Sequence, residues 1–180
     1  MKRWWPVLLL VLVLVQPAMA QKYGGDITLS LQPGVGVAVG SFSNDYDVAA
    51  EYAGQVDFAV SDGTAVGLRT SYRLFNTTET SKKPFAKIAQ FGVHAKKFFT
   101  PDSRAGMYGV LGGSLYWMKP VGVGRSEPDF GGYAGLGIHY QSSDRLAFVV
   151  ESIYNNFLTE PTSTGFFSIS LGLTIGLSEE

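Results

Sequence analysis

Phe166 to Leu177 reads F-F-S-I-S-L-G-L-T-I-G-L. Phe167, Ile169, Leu171, Leu173, Ile175 and Leu177 share one face. Ser168, Ser170, Gly172, Thr174 and Gly176 share the other. A period of two belongs to a β-strand, whose successive side chains point to opposite sides. One face is continuously apolar and the other is small and polar. Lipid on one side and a narrow, packed interior on the other demand that pattern.

Seven further segments alternate in the same way. In the first, Ile27, Leu29, Leu31, Val35, Val37 and Val39 face out, and Thr28, Ser30, Gln32, Gly34, Gly36 and Ala38 face in. Pro33 has no backbone donor, so a bulge or break is expected there. The second turns Val48, Ala50, Tyr52, Val56, Phe58 and Val60 out, with Ala49, Glu51, Ala53, Gln55, Asp57 and Ala59 inside. After the tight turn Ser61-Asp62-Gly63-Thr64, the third turns Val66, Leu68, Thr70, Tyr72 and Leu74 out, and Arg69, Ser71 and Arg73 in.

The fourth puts Ala89, Phe91, Val93, Ala95 and Phe99 outside and Gln90, Gly92, His94 and Lys96 inside. Residues 105–118 are the hardest to phase, because a bulge at Gly112-Gly113 would switch faces. The sixth segment turns Phe130, Ala134, Leu136, Ile138 and Tyr140 out, and Tyr133, Gly135, Gly137 and His139 in. The seventh has Leu146, Phe148, Val150, Ser152 and Tyr154 outside and Ala147, Val149, Glu151 and Ile153 inside.

Eight such strands are long enough to cross a bilayer when tilted. Three connections are short turns, at residues 61–64, 100–104 and 142–145. They alternate with the longer polar loops 76–84, 118–129 and 155–165. Short turns on one side and long loops on the other fit periplasmic turns and extracellular loops. The expected fold is all-β: an eight-stranded antiparallel up-and-down transmembrane β-barrel. A soluble up-and-down barrel has the opposite polarity, with apolar side chains inside. Water against the apolar outer face here would drive aggregation.

The N-terminus suits export. Lys2 and Arg3 precede V-L-L-L-V-L-V-L-V at 7–15, and Ala18-Met19-Ala20 supplies a small-x-small site. The expected division is a signal peptide over 1–20, cut after Ala20, and a barrel domain over 21–180. The nine apolar residues at 7–15 are too few for a spanning helix, which needs about twenty. With no cysteine in the chain, disulfides, a lipoprotein anchor and thiolate chemistry are excluded. Removing Lys2 and Arg3 from the 14 Lys+Arg leaves 12 against 15 Asp+Glu. That net acidity gives no reason to expect nucleic acid.

Asp57-Phe58 through Tyr72-Arg73, Tyr108-Gly109-Val110-Leu111-Gly112-Gly113 and Gly135-Leu136-Gly137-Ile138-His139-Tyr140 carry a resemblance. The chain resembles the small outer-membrane β-barrel family, which includes opacity proteins and outer-membrane-protein-A-like, porin-like barrels. The resemblance runs from about Tyr23 to Leu177. It implies a Gram-negative outer-membrane location, contact with membrane lipid and lipopolysaccharide, and handling by periplasmic chaperones and the barrel-insertion machinery. Ser170, Gly172, Ile175 and Leu177 are similar to the family's assembly signal. The family often ends on an aromatic, whereas this chain continues Leu177-Ser178-Glu179-Glu180.

The lumen of an eight-stranded barrel is filled by side chains, and inward charges there must pair. The candidate ion-pair network is Glu51, Asp57, Arg69, Arg73, Lys96 and Glu151. Arg69 and Glu151 are expected to meet across the lumen, with Asp57 and Lys96 beside them and Glu51 against Arg73. Such a network either plugs the barrel or gates a small channel. Some barrels of this class are lipid A deacylases; His139, Ser142, Ser143 and Glu151 are the nearest set here, but His139 is expected to face inward, away from lipid, and the serines to lie in a periplasmic turn. His94 and His139 lack a clear third ligand, so no metal or cofactor is expected. Tyr46, Trp117, Phe130, Tyr154, Phe157, Phe166 and Phe98-Phe99 lie near strand ends, where interfacial girdles form, and Lys97 is placed to snorkel. Lys82-Lys83 and Arg125-Ser126-Glu127 are loop positions suited to lipopolysaccharide phosphates or a surface ligand. The expected role is non-catalytic: envelope integrity, adhesion or defence through the loops.

Overall fold

The structure, a computed structural model, describes residues 27–79, 81, 85–101, 103–120, 128–158 and 164–177. The proposed export segment and the terminal glutamates lie outside them. So do Lys82, Lys83 and Arg125-Ser126-Glu127.

Eight strands follow in chain order: β1 (Ile27–Gly40), β2 (Tyr46–Ser61), β3 (Thr64–Thr77), β4 (Ala86–Phe98), β5 (Ala105–Pro120), β6 (Pro128–Ser143), β7 (Leu146–Phe157) and β8 (Thr164–Gly176). Each pairs antiparallel with its successor, and β8 pairs with β1 to close the barrel. Closure leaves no edge, which is what backbone in hydrocarbon requires. The apolar set on each strand is exposed on the outer wall, including Leu31, Tyr52, Leu111, Leu136 and Leu171. The polar set is buried in the lumen.

Several strands outrun their sequence signal. β5 continues to Pro120 and β6 begins at Pro128, so pairing extends into the expected loop 118–129. Pairing at each rim is set by the partner strand and overrides local loop composition.

The bulges also fall elsewhere than expected. β5 keeps one register against β4 from Tyr108 through Gly112-Gly113 to Pro120, so no face switch occurs. Tyr108, Ser114 and Tyr116 therefore share the lumen face. The register steps lie beside the short turns instead, between Ala59 and Ser61 and between Gln141 and Ser143. A further step separates Tyr46 from Ala49 at the loop end. At the first turn the left-handed residue is Gly63, with φ 68°, a conformation glycine adopts without steric cost.

Pro33 produces no bulge, and the expected break is confined to the ladder on one side. β1 pairs with β2 straight through Pro33↔Tyr52. Against β8, pairing lapses after Leu31↔Leu173 and resumes at Gly34↔Ser170 in the same register. The reason lies in which neighbour Pro33 addresses. Leu177 donates its N–H to the Ile27 carbonyl on the β8 side. Odd-numbered β1 residues therefore direct their backbone groups at β8, and Pro33 withholds one donor there. A missing donor removes a hydrogen bond without lengthening the chain.

Gly172 faces this gap. A Cβ there would stand 2.5 Å from the Leu31 carbonyl oxygen and would also run into Gln32 Cγ. We expect Gly172→Ala to destabilise the barrel by about 1–3 kcal/mol, the usual cost of overpacking. The check is the urea midpoint at which the compact form is lost on unheated gels. An unchanged midpoint would contradict the closeness of the β1–β8 seam.

Candidate lumen site

Inward side chains from all eight strands fill the barrel in three layers. The layer nearest the short turns centres on Asp57. Lys96 Nζ donates to its Oδ2 at 2.7 Å, and His94 Nε2 lies 2.5 Å from its Oδ1. His94 Nδ1 is 3.1 Å from the Tyr133 hydroxyl. The Lys96 ammonium also sits 5.3 Å from the Tyr108 ring centre, within cation–π range.

The middle layer holds two arginines between two glutamates. Arg69 donates through Nη1 to Glu151 Oε2, and Arg69 Nη2 reaches Glu51 Oε1 at 3.5 Å. Arg73 Nη2 donates to the same Glu51 oxygen at 2.5 Å. Glu51 and Arg73 are direct cross-strand partners on β2 and β3. Arg69 and Glu151 come from β3 and β7, on opposite sides of the ring. All four residues are essentially sealed from solvent.

Neutral polar groups complete this layer. Gln55 Nε2 donates to Glu151 Oε2 at 2.9 Å and to Gln32 Oε1 at 3.1 Å. The Tyr108 hydroxyl donates to Glu151 Oε1 at 3.0 Å. Arg73 Nη1 donates to Gln90 Oε1 at 2.8 Å, and Gln90 Nε2 donates to Ser114 Oγ at 2.9 Å. Buried charges are tolerable when paired and hydrogen-bonded in this way.

The loop-end layer is apolar. Phe42, Tyr46, Phe75, Ile88, Tyr116, Phe157 and Phe166 form one buried cluster. Phe42 enters from the 3-10 turn Ser41–Asn44, which folds over the rim between β1 and β2. Its ring centre is 5.1 Å from that of Phe75, edge to face. The layers join where Arg73 lies 4.4 Å from the Phe166 ring centre.

This layer corrects the girdle assignment for Tyr46, Phe157 and Phe166, which point into the lumen. Phe98 is half-buried and packs against Tyr108 and His139, with ring centres 5.2 and 5.5 Å away. Trp117, Phe130 and Tyr154 lie on the outer face. Position near a strand end does not distinguish a girdle ring from a lumen ring; parity within the strand does. On β8, inward parity already assigns Phe166 to the face of Ser168 and Ser170.

His139, Ser142, Ser143 and Glu151 are not gathered. His139 Nε2 is 3.4 Å from the Ser103 carbonyl oxygen, Glu151 is held by Arg69, Gln55 and Tyr108, and the two serines are exposed at a turn. Among the described residues, no group of three His, Cys, Asp or Glu is placed to hold a metal ion. A cavity of about 80 Å³ lies at the turn end, bordered by Lys96, Phe98, Tyr108 and His139. Ser170 and Gly172 lie on the lumen face of β8, and Ile175 and Leu177 on its exposed face.

No protein-family model matches the chain, and no curated protein matches its sequence. Solved structures do match. Neisserial surface protein A is 14% identical, with 85% of this chain and 98% of that one covered at a TM-score of 0.65. Outer membrane protein OprG from Pseudomonas aeruginosa is 10% identical, covering 89% and 100% at 0.64. Ail, the attachment invasion locus protein of Yersinia pestis, is 14% identical, covering 84% and 99% at 0.50. At these identities the likeness is one of fold: that of small outer-membrane β-barrels.

Removing one member of the middle layer strands its partner. We expect Arg69→Ala to cost about 3–5 kcal/mol, and Arg69→Met combined with Glu151→Met to cost much less than the sum of the singles. Urea unfolding of the four proteins in one detergent measures this. Additive losses would show that the pair is not coupled. Phe166→Ala should cost about 3–5 kcal/mol through the apolar layer, read from the same unfolding curves.

Proposed function

We propose that the chain is a non-catalytic protein of the Gram-negative outer membrane, exported by residues 1–20 and working through its extracellular loops. Its contribution is structural or adhesive: envelope integrity, attachment or defence. The observation that carries this reading is the filled lumen. Arg69, Arg73, Glu51 and Glu151 occupy the middle of the barrel. The Phe42–Phe75–Phe166 cluster occupies the loop end. With lipid against the wall and side chains in the lumen, the surfaces left for a partner are the loops and rims.

The 3-10 turn Ser41–Asn44 and the connections β3–β4, β5–β6 and β7–β8 share one end of the barrel; the two-residue turns 62–63 and 144–145 and the connection 99–104 share the other. Assembly through Ser170, Gly172, Ile175 and Leu177 is part of the proposal. The barrel-insertion machinery would recognise the strand before closure, when its backbone is still unpaired. The surface partner is a ligand of the loops; lipopolysaccharide is the surrounding lipid. The fold likeness to a protein named for attachment is compatible with an adhesive role.

Membrane fractionation and a loop deletion test the proposal together. The protein is expected in the outer-membrane fraction, beginning at Gln21 by mass spectrometry. Removing residues 121–127 should leave the heat-modifiable barrel intact while reducing cell-surface attachment. In planar bilayers the purified protein should show no sustained conductance. A steady pore in the folded wild-type protein, with Arg69 in place, would replace the structural reading with a gated channel. Recovery in the inner membrane or the soluble periplasm would refute the location.

A further inference from the structure

The outer face of β4 reads Phe85, Lys87, Ala89, Phe91, Val93, Ala95, Lys97 and Phe99. Lys87 and Lys97 bracket its apolar part, ten positions apart. At about 3.4 Å per residue and a tilt of about 40°, that is about 26 Å of height, against an apolar band about 25 Å tall in barrels of this kind. The two lysines therefore mark the two edges of the hydrocarbon. Lys97, at the turn end, donates to Thr64 Oγ1 at 3.1 Å.

The loop-end edge is different. Lys87 lies directly opposite Lys119 of β5, and both are exposed. Directly opposed side chains have Cβ atoms about 4.5–5.5 Å apart, and like charges so placed repel. Neither ammonium has an ion-pair or hydrogen-bond partner among the described residues, whereas the lumen lysine Lys96 is paired with Asp57. One step toward the membrane on the same face, Tyr72, Ala89 and Trp117 lie side by side across β3, β4 and β5. Tyr and Trp at that level are the rings that settle among headgroups. The paired lysines thus stand just beyond the rings, at the depth of lipid phosphates.

We propose that Lys87 and Lys119 form a two-point clamp for a phosphate of the outer-leaflet glycolipid, the phosphorylated glucosamine headgroup of lipopolysaccharide. This rests on the outer-membrane placement proposed above. Two ammoniums on adjacent strands converge on one phosphate from the side, and the anion relieves their mutual repulsion. The Trp117 ring beneath them offers a flat apolar surface to a sugar face or the first acyl carbons. Ammonium groups suit the site, since lysine binds phosphate as a point charge without a fixed bidentate geometry.

The test is native mass spectrometry of the purified full barrel, titrated in detergent micelles with lipid A bearing both phosphates. The same lipid A after dephosphorylation and phosphatidylglycerol serve as parallel probes. Wild type should retain phosphorylated lipid A in preference to the dephosphorylated form. Lys87→Gln combined with Lys119→Gln should weaken phosphorylated lipid A by about tenfold or more, from roughly 1 kcal/mol per surface lysine. It should leave the dephosphorylated form unchanged. Lys87→Arg with Lys119→Arg should restore binding, and Lys97→Gln should behave as wild type. Gel mobility before and after heating verifies that each variant is folded.

A double glutamine variant that keeps the phosphate preference overturns the proposal. So does an equal loss from Lys97→Gln, or an equal loss of phosphatidylglycerol, which would mean general attraction to anionic lipid. Binding in micelles does not depend on where the protein resides in the cell. A failed clamp and a mistaken location are therefore separable results.

Discussion

A ring of eight tilted strands encloses a space only as wide as the side chains that enter it. Every inward residue must therefore be packed or paired by another inward residue. Arg69 is where that constraint is tightest. Its guanidinium lies between Glu151 from across the ring and Glu51 from the neighbouring strand. Arg73 closes the set on Glu51. A charge left alone at that depth would cost several kcal/mol. The polar residues around it follow from the same need: Gln55 and Tyr108 occupy Glu151's remaining acceptor sites, and Gln90 spreads Arg73's donors toward Ser114.

The layering sets what the barrel can do. Aromatic packing at the loop end and ion pairs in the middle fill the path along the axis, while a small cavity remains at the turn end. The outer wall is given over to lipid. Chemistry that needs water and a partner is thereby displaced to the loops and the two headgroup edges. At one edge Lys97 is held by Thr64; at the other Lys87 and Lys119 face each other without a partner among the described residues. That asymmetry distinguishes the two rims of an otherwise uniform apolar belt.

Much of this was legible in the chain. Alternation told inside from outside on the strands because the two faces meet such different surroundings, and a one-residue slip would put Arg69 or Glu151 into lipid. Glu51 and Arg73 share the inward parity of their strands, but counting outward from Asp62-Gly63 leaves them one residue out of register; the step between Ala59 and Ser61 makes them direct partners. The rings near strand ends were less legible. Tyr46, Phe157 and Phe166 are chemically fit for a headgroup girdle and equally fit for a plug, and parity had to outweigh position. Phe42 carried no strand signal, because its place depends on a 3-10 turn folding over the rim.

Local chemistry and ring closure thus divide the determination. The sequence by itself determined the strand count, the polarity of each face and the charges that needed partners, because these depend on alternation and on lipid's intolerance of polar groups. Only the tertiary structure decided that Pro33 costs a donor on the β8 side without a bulge, and that Gly112-Gly113 keeps its register. It likewise decided that Lys87 stands beside Lys119. Each of these depends on which residue a neighbouring strand presents, and that alignment is fixed by closing the whole ring at once.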